Sequence, residues 1–172
     1  RFFRLQAKKS RGWSDDEMET FDFIFNVECP FFLSLFRDVP MCKTIKQRVK
    51  FSAPPATVYD LLADSKKHSA VTGGVATISR KIGGTFSVRG DEVSGINVDL
   101  VPGQRIVQAW RHRRFPEGIF SMAAVTLTPT ADGGTELVLI HRGVPKDLIP
   151  ETELAWREQY WAKIKAYLTQ VG

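Results

Sequence analysis

The sequence predicts an α+β domain in which a curved antiparallel sheet of about seven strands wraps a long C-terminal helix, with two short helices after the first strand. Three observations carry that prediction. Short strand-like runs follow one another across tight turns, one amphipathic helical pattern closes the chain, and proline and glycine place two helical segments after the first strand.

The first strand is expected over Thr44 to Phe51. There Ile45, Val49 and Phe51 alternate with Lys46, Arg48 and Lys50, a period of two with one wet face, and Gln47 is the single polar residue on the dry side. Pro54 and Pro55 open a helix where a missing amide proton costs nothing, and Val58, Leu61 and Leu62 supply its apolar stripe. Asp64 or Ser65 caps a second helix that ends at Gly73-Gly74. Strands are then expected at Ala76 to Lys81, Thr85 to Arg89, Val93 to Val101, Arg105 to His112, Phe120 to Thr130 and Thr135 to Arg142. Gly83-Gly84, Gly90-Asp91, Pro102-Gly103, Pro116-Glu117-Gly118 and Asp132-Gly133-Gly134 separate them, and such tight links force antiparallel pairing. Glu151 to Thr169 closes the chain as a helix, with Leu154, Tyr160, Trp161, Ile164, Tyr167 and Leu168 mainly on one side. Glu151 and Glu153 sit at its positive end.

This order of elements resembles the helix-grip arrangement of START-like lipid-binding and pollen-allergen-like (SRPBCC) proteins. Gly83-Gly84-Thr85-Phe86-Ser87, Val93-Ser94-Gly95 and the run Leu100-Val101-Pro102-Gly103-Gln104-Arg105-Ile106-Val107-Gln108-Ala109-Trp110-Arg111 narrow it. Phe115-Pro116-Glu117-Gly118, Gly134-Thr135-Glu136-Leu137, Gly143-Val144-Pro145 and Trp156 continue the series. Together they resemble the C-terminal domain family of the activator of heat-shock protein 90 ATPase over nearly all of residues 44–170. The resemblance implies a co-chaperone-like domain that docks on a heat-shock protein 90 family chaperone, while a separate N-terminal domain supplies most of the ATPase stimulation. That second domain is not expected in this chain, because forty residues cannot hold it and its Trp-His-Trp segment is missing. Stand-alone relatives imply a small-ligand or stress-response role.

Residues 1–40 differ in kind, passing from Lys8, Lys9 and Arg11 to Asp15, Asp16, Glu17 and Glu19 and then to a phenylalanine-rich run. They are read as an extension that is either non-native or disordered, or packed through its phenylalanines, with the domain at 41–172. At 172 residues and 43% hydrophobic content the chain suits one core. A net charge of +5 favours acidic protein surfaces or anionic ligands, but is too small to imply nucleic acid without a clustered patch. Cys29 and Cys42 cannot staple the main body, which fits a reducing, cytoplasmic setting. The apolar stretch Phe21 to Phe36 is interrupted by Asp22, Asn26, Glu28 and Pro30, so no membrane span is expected.

Two candidate sites follow. A cavity between terminal helix and sheet would be walled by Phe86, Val88, Val98, Trp110, Phe120, Met122, Leu139, Tyr160, Trp161 and Ile164, and would take a small hydrophobic ligand; the bland alternative is that these side chains fill the core. Arg111, Arg113 and Arg114, with His112 among them, form the densest basic cluster, either a solvated turn or a contact for an acidic partner. His68, His112 and His141 are scattered, so no metal site or cofactor is expected, and no catalytic motif is seen. Three functions are weighed: a non-enzymatic docking module, a ligand carrier or sensor, and a cyclase- or hydrolase-like enzyme.

Overall fold

The computed structural model describes residues 42–171. The expectations for residues 1–40, Cys29 included, lie outside them. The domain begins with strand β1 (Cys42–Phe51) and two short helices, α1 (Pro55–Ala63) and α2 (Ser65–Thr72). Six strands follow, β2 (Ala76–Ile78), β3 (Thr85–Val88), β4 (Val93–Val101), β5 (Arg105–His112), β6 (Ser121–Pro129) and β7 (Thr135–Pro145). A 3-10 turn, Lys146–Leu148, leads into α3 (Ile149–Ala155), a π-helical segment (Trp156–Trp161) and α4 (Ala162–Val171), which run on end to end.

The seven strands form one antiparallel sheet in the order β1-β7-β6-β5-β4-β3-β2. Tight turns make β2 to β7 a meander, and the two helices carry the chain across so that β1 closes against β7. This is the helix-grip fold that the sequence predicts.

Local chemistry sets the element ends. Pro55 starts α1 at a position where its missing N–H leaves no partner unmet. The Asp64 carboxylate accepts the backbone N–H of Lys66 and Lys67, both at 3.0 Å, and so caps α2. Gly73, at φ 74°, ends α2 in the left-handed region that a Cβ disfavours. The expected second strand ends three residues early, at Ile78, where the backbone turns and the Gly83 N–H donates to Asn97 O.

One face of the sheet packs on the helices. Ile45 and Phe51 of β1, Trp110 of β5, Val125 and Leu127 of β6, and Leu137 and Leu139 of β7 meet Trp156, Tyr160, Trp161 and Ile164 of the terminal helix. The period-two reading of β1 holds over Ile45 to Phe51, and alternation along the other strands is broken at a register shift opposite Lys43/Ile45 near the end of β7 and at a bulge in β4. Asn97 pairs with Gln108, whereas Asp99 pairs with Val107, leaving Val98 as the extra residue.

Candidate functional site

The π segment sets the chemistry of the helix–sheet junction. A helix of 3.6 residues per turn that buries Tyr160, Trp161 and Ile164 would next bury positions near 157 and 153 or 154. One wide turn adds a residue to that spacing, so Trp156 and Thr152 point inward and Leu154 is left 49% exposed. Leu154, expected on the apolar stripe, therefore lies on the outside. Trp156 stacks on Trp161 with centroids 5.2 Å apart, and lies tilted against Tyr160 at 4.6 Å.

Each inward indole N–H finds a polar partner on the sheet, as a buried tryptophan requires. Trp161 Nε1 donates to Gln47 Oε1 at 2.5 Å, and Gln47 Nε2 donates to the carbonyl of Glu153 at 3.0 Å. Gln47, the polar residue on the dry face of β1, is thus the joint between first strand and last helix. Trp156 Nε1 donates to His141 Nδ1 at 3.0 Å. Because an indole N–H can only donate, the His141 proton is on Nε2, which donates to Ser121 Oγ at 2.7 Å, and the hydroxyl donates on to Trp110 O at 2.9 Å. Burial pushes the His141 imidazole down from 6.5 to about 3, so it stays neutral.

Ser121 and His141 are at the distance of a nucleophile–base pair, but the proton lies the wrong way round. A general base must accept from the serine, and here the imidazole donates to it. His141 is also 0% exposed, closed off from any substrate.

Two hollows flank the aromatic wall of Trp110, Trp156 and Tyr160. The inner one, between α1, α2 and the sheet, has a volume of about 30 Å³ and is lined by Leu62, Ile106 and Gln108 together with the predicted Phe86, Val88, Trp110 and Tyr160. His68 faces it. Its Nδ1 donates to Leu61 O at 3.1 Å, and its buried Nε2 has no partner among the described residues. Burial lowers the His68 pKa, against an opposing effect of the Leu61 hydrogen bond. The outer hollow is an open cleft of about 250 Å³ between the start of the terminal helix and the ends of β4 and β5, with Val93, Leu148 and Leu154 at its apolar side and Arg89, Glu92 and His112 at its polar side. Glu92 accepts from His112 Nε2 at 3.1 Å and pairs with Arg89 at 3.0 Å.

The remaining predicted cavity residues divide. Leu139, Trp161 and Ile164 are buried in the packed core but line neither hollow. Val98, Phe120 and Met122 are corrected: they are 44%, 52% and 39% exposed and belong outside. Met122 pairs with Ala109, out of phase with inward Trp110, and Val98 follows inward Asn97, in phase with exposed Ile96. Phe120 precedes β6, whose first inward side chain is Ser121.

The basic run does not form one patch. Arg111 points to the outer sheet face and donates to Phe115 O at 3.2 Å. Arg113 is exposed in the turn, and its backbone N–H donates to Glu92 O at 2.9 Å. Arg114 is ion-paired with Glu151 at the head of the terminal helix. Sequence reasoning missed His68 and His141. His141 could have been found by parity, since it continues the inward series Leu137, Leu139 in β7, whereas nothing in the sequence marks His68.

Among the described residues there is no cluster of His, Cys, Asp and Glu fit to hold a metal, and no helix long and apolar enough to cross a membrane.

Residues 52–169 match the family described as Activator of Hsp90 ATPase homolog 1-like protein. An activator of 90 kDa heat shock protein ATPase homolog from Dictyostelium discoideum is 31% identical over 73% of this chain and 33% of its own length. The homolog 1 protein of Homo sapiens is 36% identical over 74% of this chain and 37% of its own. The chain therefore spans about a third of the length of these relatives. Among solved structures, an Hsp90 activator from Plasmodium falciparum superposes with a TM-score of 0.70 at 19% identity, covering 73% of this chain and 96% of that one. An Aha1 dimer from Colwellia psychrerythraea superposes with a TM-score of 0.64 at 15% identity, over 73% and 96%.

Proposed function

The chain belongs to the Activator of Hsp90 ATPase homolog 1-like family, and from that premise we propose that it is a non-enzymatic, co-chaperone-like docking module for a chaperone of the Hsp90 family. The observation that carries docking over carriage within the grip is the filled interior. The inner hollow of about 30 Å³ has room for a water or two, whereas small-molecule pockets run to several hundred cubic ångströms. The relatives' names, activators of a heat-shock ATPase, support the same partner.

The test is calorimetric titration of the chain against a purified Hsp90-family chaperone over a range of salt. Binding is expected to weaken as salt rises, because exposed charges are screened beyond about 8 Å at physiological ionic strength. Arg113→Glu reports on the turn without breaking an internal ion pair, as changing Arg114 would: weakened binding places the turn in the contact, and unchanged binding places it outside. No binding at low salt would sink the reading.

A second reading, carriage of a small hydrophobic ligand, is favoured by the outer cleft of about 250 Å³ beside Trp110 and Trp156. It predicts a copurifying small molecule in a native mass spectrum, retained at high salt.

A further inference from the structure

An antiparallel sheet with one face on the core normally turns a polar face to water. Here the middle of the outer face is apolar, with Asp99, Arg105, Arg111 and Glu136 around it. Strand register lays them out in rows: Ile96 of β4 pairs with Ala109 of β5, which pairs with Met122 of β6. In the next row Val107 pairs with Ala124, and Ala124 with Ile140 of β7. Val98, outward beside inward Asn97, borders both. No described helix or loop covers this face: Ile96 and Val98 are each 44% exposed and Met122 is 39% exposed. Contiguous exposed apolar surface of this kind marks interaction sites on soluble domains.

The rows end in cations. The first runs from Met122 to Arg142, and the second from Ile140 to Lys46 on the edge strand β1. A third row, Thr126 and Val138, ends at Arg48. The carboxylates on this face, Asp99 and Glu136, are neutralised by Arg105 and Arg48. Lys46 and Arg142 form no ion pair with a described carboxylate. The face is thus an apolar strip with a positive border on its β1 side.

We propose that the outer face of β4 to β7 is the surface through which the chain docks on its chaperone, and that the partner offers an apolar patch flanked by carboxylates; this rests on the docking reading above. Apolar burial at the strip supplies the contact, and Lys46 and Arg142 orient it by charge. The turn arginines are then peripheral, since Arg114 is spent on Glu151 and Arg111 alone reaches this face.

The experiment is titration of an Hsp90-family chaperone with the full chain and with Ile96→Glu, Met122→Glu and the double variant Lys46→Glu/Arg142→Glu, each checked by circular dichroism. Each is expected to weaken binding by about tenfold or more, the scale of an interface hot spot, and the double variant also flattens the salt dependence. The double variant leaves the apolar rows intact, so it decides the matter even if a glutamate in the strip unfolds the sheet. Wild-type binding with unchanged affinity in the folded variants overturns the face assignment and leaves the docking reading standing. Absence of wild-type binding removes both. A self-associating chain that Met122→Glu renders monomeric, with chaperone affinity intact, assigns the face to a second copy and also overturns the proposal.

Discussion

Gly95 shows how a single missing side chain sets the sheet. It pairs with Phe86 on one side and Trp110 on the other, two large inward aromatics that need room between them. A Cβ built at Gly95 would lie 1.9 Å from Ala109 O and 2.7 Å from Phe86 Cε1, so backbone as well as a ring would have to move. Gly95→Val is accordingly expected to destabilise the domain by about 1–3 kcal/mol or more, the range for overpacking a tight core, measured by chemical denaturation. A neutral result would show that β3 and β5 can part at this point. The need for a glycine was legible in the sequence, because a strand glycine forfeits packing and so marks a close approach. The outward place of Val98, three residues on, follows from alternation with inward Val93, Gly95 and Asn97; the bulge after it, which puts Asp99 on the outer face as well, depends on which residues of β5 sit opposite and is absent from the local pattern of β4.

At the scale of the element, the terminal helix was legible as one amphipathic run but its π turn was not. Hydrophobic periodicity locates the inward face only while the residues per turn stay constant, and one wide turn changes the phase for everything before it. Tyr160 and Trp161 lie at the end of the wide turn and Ile164 beyond it, where the pattern puts them inside correctly; Leu154 lies before it and is misplaced for that reason. The extra residue lets Trp156, Tyr160 and Trp161 share one buried layer with polar anchors on both β1 and β7. Trp161→Ala removes a ring that is 3% exposed and leaves Gln47 Oε1 without its donor. The expected loss is about 3–5 kcal/mol by the scale of large-to-small core changes. A loss of under about 1 kcal/mol, the size of an ordinary surface substitution, would mean that the helix is not held to the sheet by this residue.

For the whole molecule, the two faces of the sheet do different work, and the strand alternation that separates them was readable before the uses were. For the inner face the sequence left two readings, a ligand cavity or a packed core; the interior it closes with the helices buries two histidines, His141 of β7 and His68 of α2. Their burial makes stability depend on pH in a direction that can be worked out. In the unfolded chain each imidazole takes up a proton near 6.5; in the folded domain burial holds His141 neutral down to about 3 and lowers His68 as well. Below 6.5 the unfolded state therefore binds more protons than the folded one, and the stability present at neutral pH drains away as pH falls through the window from about 6.5 towards 3. Each histidine that stays neutral contributes a slope of up to about 1.4 kcal/mol per pH unit. The lowered carboxyls of Asp60 and Glu92 act in the same direction only at more acidic pH, so the interval just below neutrality isolates the imidazoles. Urea denaturation between neutral and mildly acidic pH is expected to show a steep fall in the midpoint, and His68→Gln, which cannot titrate, is expected to make it shallower while His141 keeps the remainder. A midpoint that does not move across that interval would mean that both imidazoles reach solvent protons in the folded state, and that the aromatic wall of Trp110, Trp156 and Tyr160 does not seal the interior.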